Sequence, residues 1–210
     1  MTYKVMIVDD QNISRKMFSM YIENSGRYEL VHAVESAMFA DTYVLNRDID
    51  LVLMDILMGD GSSGLEAAAK IKKIKPEIKI IAVTSMPEVS WLDQARAIGI
   101  ESFWYKEATE ETILSVMDRT MAGESVYPDS PPNVQLGLAQ SSEFTQKELE
   151  VLRLLTTGAT NQEIAEQLGV SENTIKTHVK HLLEKTGYEG RVKLAIQARI
   201  TGMVIDLNEG

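Results

Sequence analysis

Cysteine is absent from all 210 residues, which excludes disulfides and thiolate chemistry. Long apolar runs are missing too: none approaches the roughly 18 residues that a membrane span requires. The opening Met1-Thr2-Tyr3-Lys4 is polar and does not read as a secretory signal. The expectation is a cytoplasmic protein with no membrane partner. Positive charge is scarce, 21 Lys and Arg against 31 Asp and Glu, a net charge of -10. Such a balance argues against a protein that grips nucleic acid over its whole surface. Only five prolines occur, and Pro128, Pro131 and Pro132 fall within one short stretch. What remains, 44% hydrophobic and 25% charged residues, is the composition of an ordinary globular chain.

The charge is unevenly spread. Residues 1–125 carry 13 basic and 20 acidic residues, a net of -7, whereas residues 143–210 carry 8 and 10, a net of -2. Within 171–199, Lys176, Lys180, Lys185, Arg191, Lys193 and Arg199 face only Glu172, Glu184 and Glu189. A locally basic helix on an acidic protein is a modest DNA footprint.

The hydrophobic pattern divides the chain. Short apolar runs near residues 4–8, 28–34, 51–54, 79–84 and 102–105 alternate with amphipathic stretches up to Met121. That alternation predicts a five-stranded, doubly wound parallel sheet in an α/β domain over residues 1–123. Residues 124–142, with their Pro, Gly, Ser and Gln content, read as a linker. From 143 to 210 the pattern is helical only and predicts a small all-α domain of four helices. Thr145 with Glu148, and Thr160 with Glu163, have the spacing of capping boxes. Two short helices around Gly169-Val170-Ser171 predict a helix-turn-helix.

Four of the predicted strand ends carry polar residues of complementary kinds: Asp9 and Asp10, then Asp55, Thr84 and Lys106. In a doubly wound sheet these ends converge on one crevice. Crowded carboxylates repel unless a cation joins them, and oxygen ligands suit Mg²⁺. An ammonium and a hydroxyl beside them supply the charge neutralisation and hydrogen bonding that a transferred phosphoryl group needs. With these residues in place, 1–123 resembles the receiver domain of two-component response regulators, a flavodoxin-like fold. The resemblance implies that a sensor histidine kinase phosphorylates Asp55. It implies that Asp10, Asp55 and the backbone carbonyl of Leu57 hold Mg²⁺, with Asp9 acting through water. Lys106 would pair with the phosphoryl oxygens, Thr84 would move to bond them, and Phe103 stands at the family's switch aromatic.

The sequence leaves the family pattern just after the acceptor. Gly59 stands where proline is usual, and Gly64-Leu65-Glu66 lies one residue further on than expected. The stretch Gly59 to Ser63 is therefore expected to be a longer, looser loop.

The segment 144–200 resembles the LuxR/NarL type of helix-turn-helix. Phe144-Thr145, Glu148-Leu149, Thr160-Asn161, Glu163-Ile164-Ala165 and Ser171 through Lys180 carry the match. The resemblance implies promoter DNA as partner. Thr174, Lys176 and Lys180 are expected on one polar stripe, with His178 on the DNA backbone and Ile175, Val179 and Leu182 turned inward. A homodimer formed on phosphorylation would supply affinity that the acidic chain lacks, and RNA polymerase is a further candidate partner. The expected class is a regulator rather than an enzyme. Two rivals stay open: an aspartyl phosphatase, which would want a second aspartate where Leu57 stands, and a phosphorylation-independent regulator whose receiver serves only protein contacts.

Overall fold

The computed structural model describes residues 2–88, 90–106 and 111–204, which fall into two compact units. The first comprises residues 2–85 and 90–130 of that set, and the second 86–88 and 131–204.

The first unit alternates strand and helix five times: β1 (Tyr3–Val8), α1 (Asn12–Ser25), β2 (Tyr28–Val34), α2 (Ala40–Asn46), β3 (Leu51–Asp55), α3 (Gly64–Ile74), β4 (Lys79–Thr84), α4 (Trp91–Ile98), β5 (Ser102–Tyr105) and α5 (Ile113–Met121). All pairings are parallel, in the order β2-β1-β3-β4-β5. The predicted doubly wound sheet is therefore the observed one. Every residue of β3 is buried, as a strand covered on both faces requires. Val5, Ile7, Leu51, Leu53, Ile81 and Val83 share one face with Phe18 and Ile22 of α1 and Val116 and Met117 of α5. On the other face α3 packs on β3 and β4 and is flanked by α2 and α4. Consecutive strands run outward in opposite directions from β1, so the carboxyl ends of β1 and β3 flank the switch point where α/β sheets bind ligands.

Helix α2 starts at Ala40, three residues later than the apolar pattern from Ala37 suggests. Its lead-in is committed elsewhere, because the Ala37 N–H donates to Ser62 Oγ at 3.1 Å.

The stretch read as a linker is structured at both ends. In the first unit the Val126 carbonyl accepts the Phe103 N–H at 2.8 Å, and the Tyr127 hydroxyl donates to the Ile100 carbonyl at 2.9 Å. In the second unit β6 (Gln135–Leu136) and β7 (Ala139–Gln140) form an antiparallel hairpin. The Leu138 N–H donates to the Thr186 carbonyl at 2.9 Å. Gly137, at φ 64°, lies so close to that carbonyl that a Cβ would collide with it.

Four helices complete the second unit: α6 (Gln146–Thr156), α7 (Asn161–Leu168), α8 (Glu172–Thr186) and α9 (Arg191–Ile200). Both capping boxes form. The Thr145 N–H donates to Glu148 Oε2 at 2.8 Å, and the Thr160 N–H to Glu163 Oε2 at 2.7 Å. Glu148 has a second task, accepting from Lys185 Nζ at 2.7 Å. Burial pushes its carboxyl up, but the bonds from Lys185 and Thr145 outweigh that and hold it below the usual range. Leu149, Leu152, Ile164, Ile175, Val179, Leu182 and Leu194 close one core under the α7–turn–α8 motif. In the same unit Arg153 pairs with the fully buried Glu88, so neither charge is left alone in the interior.

Candidate functional site

The sheet brings the predicted residues together. Asp9 follows β1 directly, Asp55 and Thr84 end β3 and β4, and Lys106 follows β5. Asp9, Asp55 and Thr84 are almost fully buried. Lys106 Nζ lies 2.7 Å from Asp9 Oδ2 and 2.7 Å from Asp55 Oδ2, so one ammonium spans two carboxylates. The Lys106 N–H donates to the Thr84 carbonyl at 2.9 Å, which ties the lysine to the end of β4. Asp9 Oδ1 accepts the Gln11 N–H at 2.9 Å, and Asp55 Oδ1 accepts the Ile56 N–H at 2.7 Å.

Asp10 is held differently. Its Oδ2 accepts the Gly59 N–H at 2.9 Å. Its Oδ1 is buried and has no hydrogen-bond partner among the described residues. One carboxylate oxygen from each of Asp9, Asp10 and Asp55 lies within 4.8 Å of the others. Against three carboxylates stands one ammonium, which pairs with Asp9 and Asp55 only, so negative charge is in excess in a desolvated crevice. The all-oxygen donor set and the orphaned Asp10 oxygen fit a hard divalent cation.

The electrostatics of Asp55 follow from its position. Burial, helped by the charge of Asp9, outweighs the downward pull of Lys106 and leaves its carboxyl raised from the ordinary 3.8 to about 6. For Lys106, burial favours the neutral amine, but the two carboxylates outweigh it and hold the ammonium above its usual range.

Leu57 sits two residues past Asp55 and forms an isolated bridge with Ser63. Phe103 is buried, its ring 5.0 Å from that of Tyr105 and 6.1 Å from that of Tyr127. Sequence reasoning missed Arg15, whose Nη1 donates at 2.7 Å to the carbonyls of both Asp9 and Asp10. That fork holds the backbone of the acidic pair. Its only signal was a basic residue one helical turn into α1.

The loop after Asp55 corrects an expectation. It is longer than the family pattern, but it is not loose. The Gly61 N–H donates to the Met58 carbonyl at 3.1 Å and the Gly64 N–H to the Ile56 carbonyl at 2.9 Å. Asp60 Oδ1 accepts the Ser62 N–H at 2.9 Å and the Ser62 hydroxyl at 2.7 Å. Bonds from Ser36 and Ser62 hold the Asp60 carboxyl below the usual range. The extra residue is absorbed by local side-chain bonds to the backbone, for which Asp and Ser are suited.

On α8, Lys176 and Lys180 are exposed. Each is paired along the helix, Lys176 with Glu172 at 3.0 Å and Lys180 with Glu184 at 3.6 Å. Exposed pairs of this kind are weak, so both lysines remain available to phosphates. Thr174 departs from its expected place. Two residues from Lys176, at about 100° per residue, puts it nearly on the opposite side of the helix. It is half-buried, with its hydroxyl 2.8 Å from that of Ser171. Asn173 and Thr177, both exposed, share the lysine stripe instead. His178 is half-buried at the edge of the inner face.

Comparison with known proteins agrees with both halves. Residues 5–118 match the response regulator receiver domain, and residues 142–198 match the LuxR family of bacterial regulatory proteins. The response regulator protein VraR of Staphylococcus aureus (strain NCTC 8325 / PS 47) is 33% identical over 203 residues, covering 94% of this chain and 97% of VraR. Among solved structures, RcsB of Salmonella enterica serovar Typhimurium bound to the P1flhDC promoter aligns with a TM-score of 0.64 at 21% identity, covering 96% of this chain and 99% of that one. A structure of two RcsB dimers on two parallel DNAs aligns at 0.63 with 22% identity, covering 95% and 98%. At that identity these structures support the fold. The chain belongs to the response regulators that join a receiver domain to a LuxR-family DNA-binding domain.

Among the described residues no helix is long and apolar enough to cross a membrane.

Proposed function

We propose that this DNA-binding response regulator is switched by phosphoryl transfer from a sensor histidine kinase to Asp55. The observation that carries the reading is Asp55 Oδ2 at 2.7 Å from Lys106 Nζ, with oxygens of Asp9 and Asp10 close by. In the reaction the Asp55 carboxylate oxygen attacks phosphorus, the phosphohistidine N–P bond breaks, and the new acyl phosphate forms on Asp55. With a carboxyl near 6, Asp55 is mostly ionised at neutral pH yet poorly solvated, which suits a nucleophile. Lys106 neutralises the arriving phosphoryl oxygens, and the Thr84 hydroxyl reaches one of them. Asp9, Asp10, Asp55 and the Leu57 carbonyl would hold Mg²⁺, which would draw in the phosphoryl oxygens and offset their charge. Phe103, beside Tyr105 and Tyr127, would repack as Thr84 moves.

The output is dimerisation and promoter binding through α8, by Lys176, Lys180 and their neighbours Asn173 and Thr177. Thr174 and His178 would contact the DNA backbone from the edge of the helix. RcsB forms dimers on DNA, and in this chain α9 offers an apolar surface for a second copy. Val192, Ile196 and Ile200 form a stripe on α9 that is 69%, 52% and 68% exposed. Spaced by four, they lie on one face and would be covered by a second copy. Contact with RNA polymerase would follow at the promoter.

The test uses the full chain with acetyl phosphate and Mg²⁺, comparing the native protein with Asp55→Asn. Stable label at about one equivalent, lost in the variant and accompanied by dimer formation and tighter promoter binding, supports the reading. Turnover of many equivalents would instead make the chain a phosphatase. Absence of label would leave a regulator that acts through protein contacts alone.

A further inference from the structure

The departure of this chain from its family, glycine in place of proline four residues past the acceptor, coincides with a backbone hold on Asp10. The Gly59 N–H donates to Asp10 Oδ2 at 2.9 Å, while Oδ1 of the same carboxylate is buried with no partner among the described residues. We propose that Gly59 is a positioning residue for the cation site: its N–H pins one oxygen of Asp10 so that the other faces the metal position. This inference rests on the reading of Asp9, Asp10 and Asp55 as a cation site.

Three observations converge on it. A proline at position 59 has no N–H and could not make this bond. Any side chain at all would interfere, because an ideal Cβ on Gly59 lies 2.9 Å from Asp10 Oδ2, closer than real Cβ contacts come. The loop that presents Gly59 is also braced on the far side. Ser62 Oγ accepts the Ala37 N–H at 3.1 Å while its hydroxyl donates to Asp60, and Leu57 bridges Ser63. The added residue thus builds a closed turn whose early N–H is fixed above Asp10. Asp9 and Asp55 already share Lys106, so Asp10 is the carboxylate of the three without a cationic partner among the described residues. Among the described residues, the Gly59 N–H is the one hydrogen bond its side chain makes. Groups that orient a metal ligand from behind commonly govern affinity.

The experiment compares the full chain with Gly59→Pro and Gly59→Ala. Mg²⁺ affinity is measured directly by titration calorimetry, without phosphodonor. Loss of an orienting partner predicts about tenfold weaker binding in Gly59→Pro. Gly59→Ala keeps the N–H but crowds Oδ2, and is expected to weaken binding measurably but less than Gly59→Pro does. In acetyl phosphate labelling, the half-saturating Mg²⁺ concentration should rise by the same factors while the rate at saturating Mg²⁺ stays unchanged. A merely structural role would instead lower the saturated rate or the melting temperature measured in chelator. Unchanged Mg²⁺ affinity in both variants overturns the inference. If Gly59→Pro does not fold, Gly59→Ala decides alone. Should native protein bind Mg²⁺ yet take no label, the phosphoacceptor reading fails while the inference about Gly59 is still judged by the affinities.

Discussion

Replacing Asp55 with asparagine in metal-free buffer should make the receiver unit more stable, although it removes the residue on which the site turns. The charged carboxylate is held in a buried crevice where burial is the dominant influence, and its pKa rises from 3.8 to about 6. A group whose folded pKa is raised favours the folded state when protonated. That contribution is full below the unfolded value and is lost as the pH rises through the folded one. Two pKa units at 1.36 kcal/mol each correspond to a cost on the order of 3 kcal/mol, complete by pH 8. Asparagine resembles the protonated acid in shape, and Lys106 keeps its partner Asp9 at 2.7 Å. Relief of about 3 kcal/mol would raise the melting temperature of a unit this size by roughly 10 °C. At pH 5, between the two pKa values, the advantage should shrink to roughly half. Thermal and urea unfolding with chelator, at pH 8 and pH 5, give the comparison. Saturating Mg²⁺ should then narrow the gap, because it offsets the excess charge of the native site more than that of the variant. An Asp55→Asn protein no more stable than native at pH 8, or an advantage equal at both pH values, would refute the argument from a desolvated charge.

Three further outcomes are expected. Gly64→Ala would drive a Cβ into the backbone carbonyl of Asp55, so urea unfolding should show a loss of about 1–3 kcal/mol or more, together with slower labelling of Asp55. Lys176→Ala and Lys180→Ala should each weaken promoter binding and reduce the salt dependence of the affinity by about one phosphate contact, as measured by anisotropy titrations at several salt concentrations. Thr145→Ala removes the cap of α6 and frees Glu148 from one of its donors, and should cost the second unit about 1 kcal/mol in chemical unfolding.

Much of this protein was legible because the signals were local. The capping boxes at Thr145 and Thr160 form from residues three apart, whose geometry a helix start dictates whatever surrounds it. Strands β1, β3, β4 and β5 show as apolar runs because both sheet faces are covered there, whereas β2, at the sheet edge, is largely half-buried. Placing Asp9, Asp55, Thr84 and Lys106 together needed only the rule that parallel strands end at a common edge. Thr174 departs from the lysine stripe for a local reason, since helix periodicity alone separates residues two apart by about 200°. The looseness expected of residues 59–63 failed for a different reason. An extra residue reads as freedom when counted along the chain, yet here it forms Asp60–Ser62 bonds and ties to Ala37, 25 residues away from Ser62.

By itself, then, the sequence determined the two kinds of domain, the capped helix starts at Thr145 and Thr160, and the set of strand-end residues available for chemistry, because periodicity, capping and the ends of parallel strands are properties of short stretches. Tertiary structure alone decided that Lys106 bridges Asp9 and Asp55, that Arg15 clasps the carbonyls behind the acids, and that Gly59 holds Asp10. Each of these joins groups whose distance depends on how helices and loops settle on the sheet. Burial then set the acidity of Asp55, which no local pattern encodes, since desolvation is a property of everything packed around a carboxylate and not of the carboxylate's own neighbours in the chain.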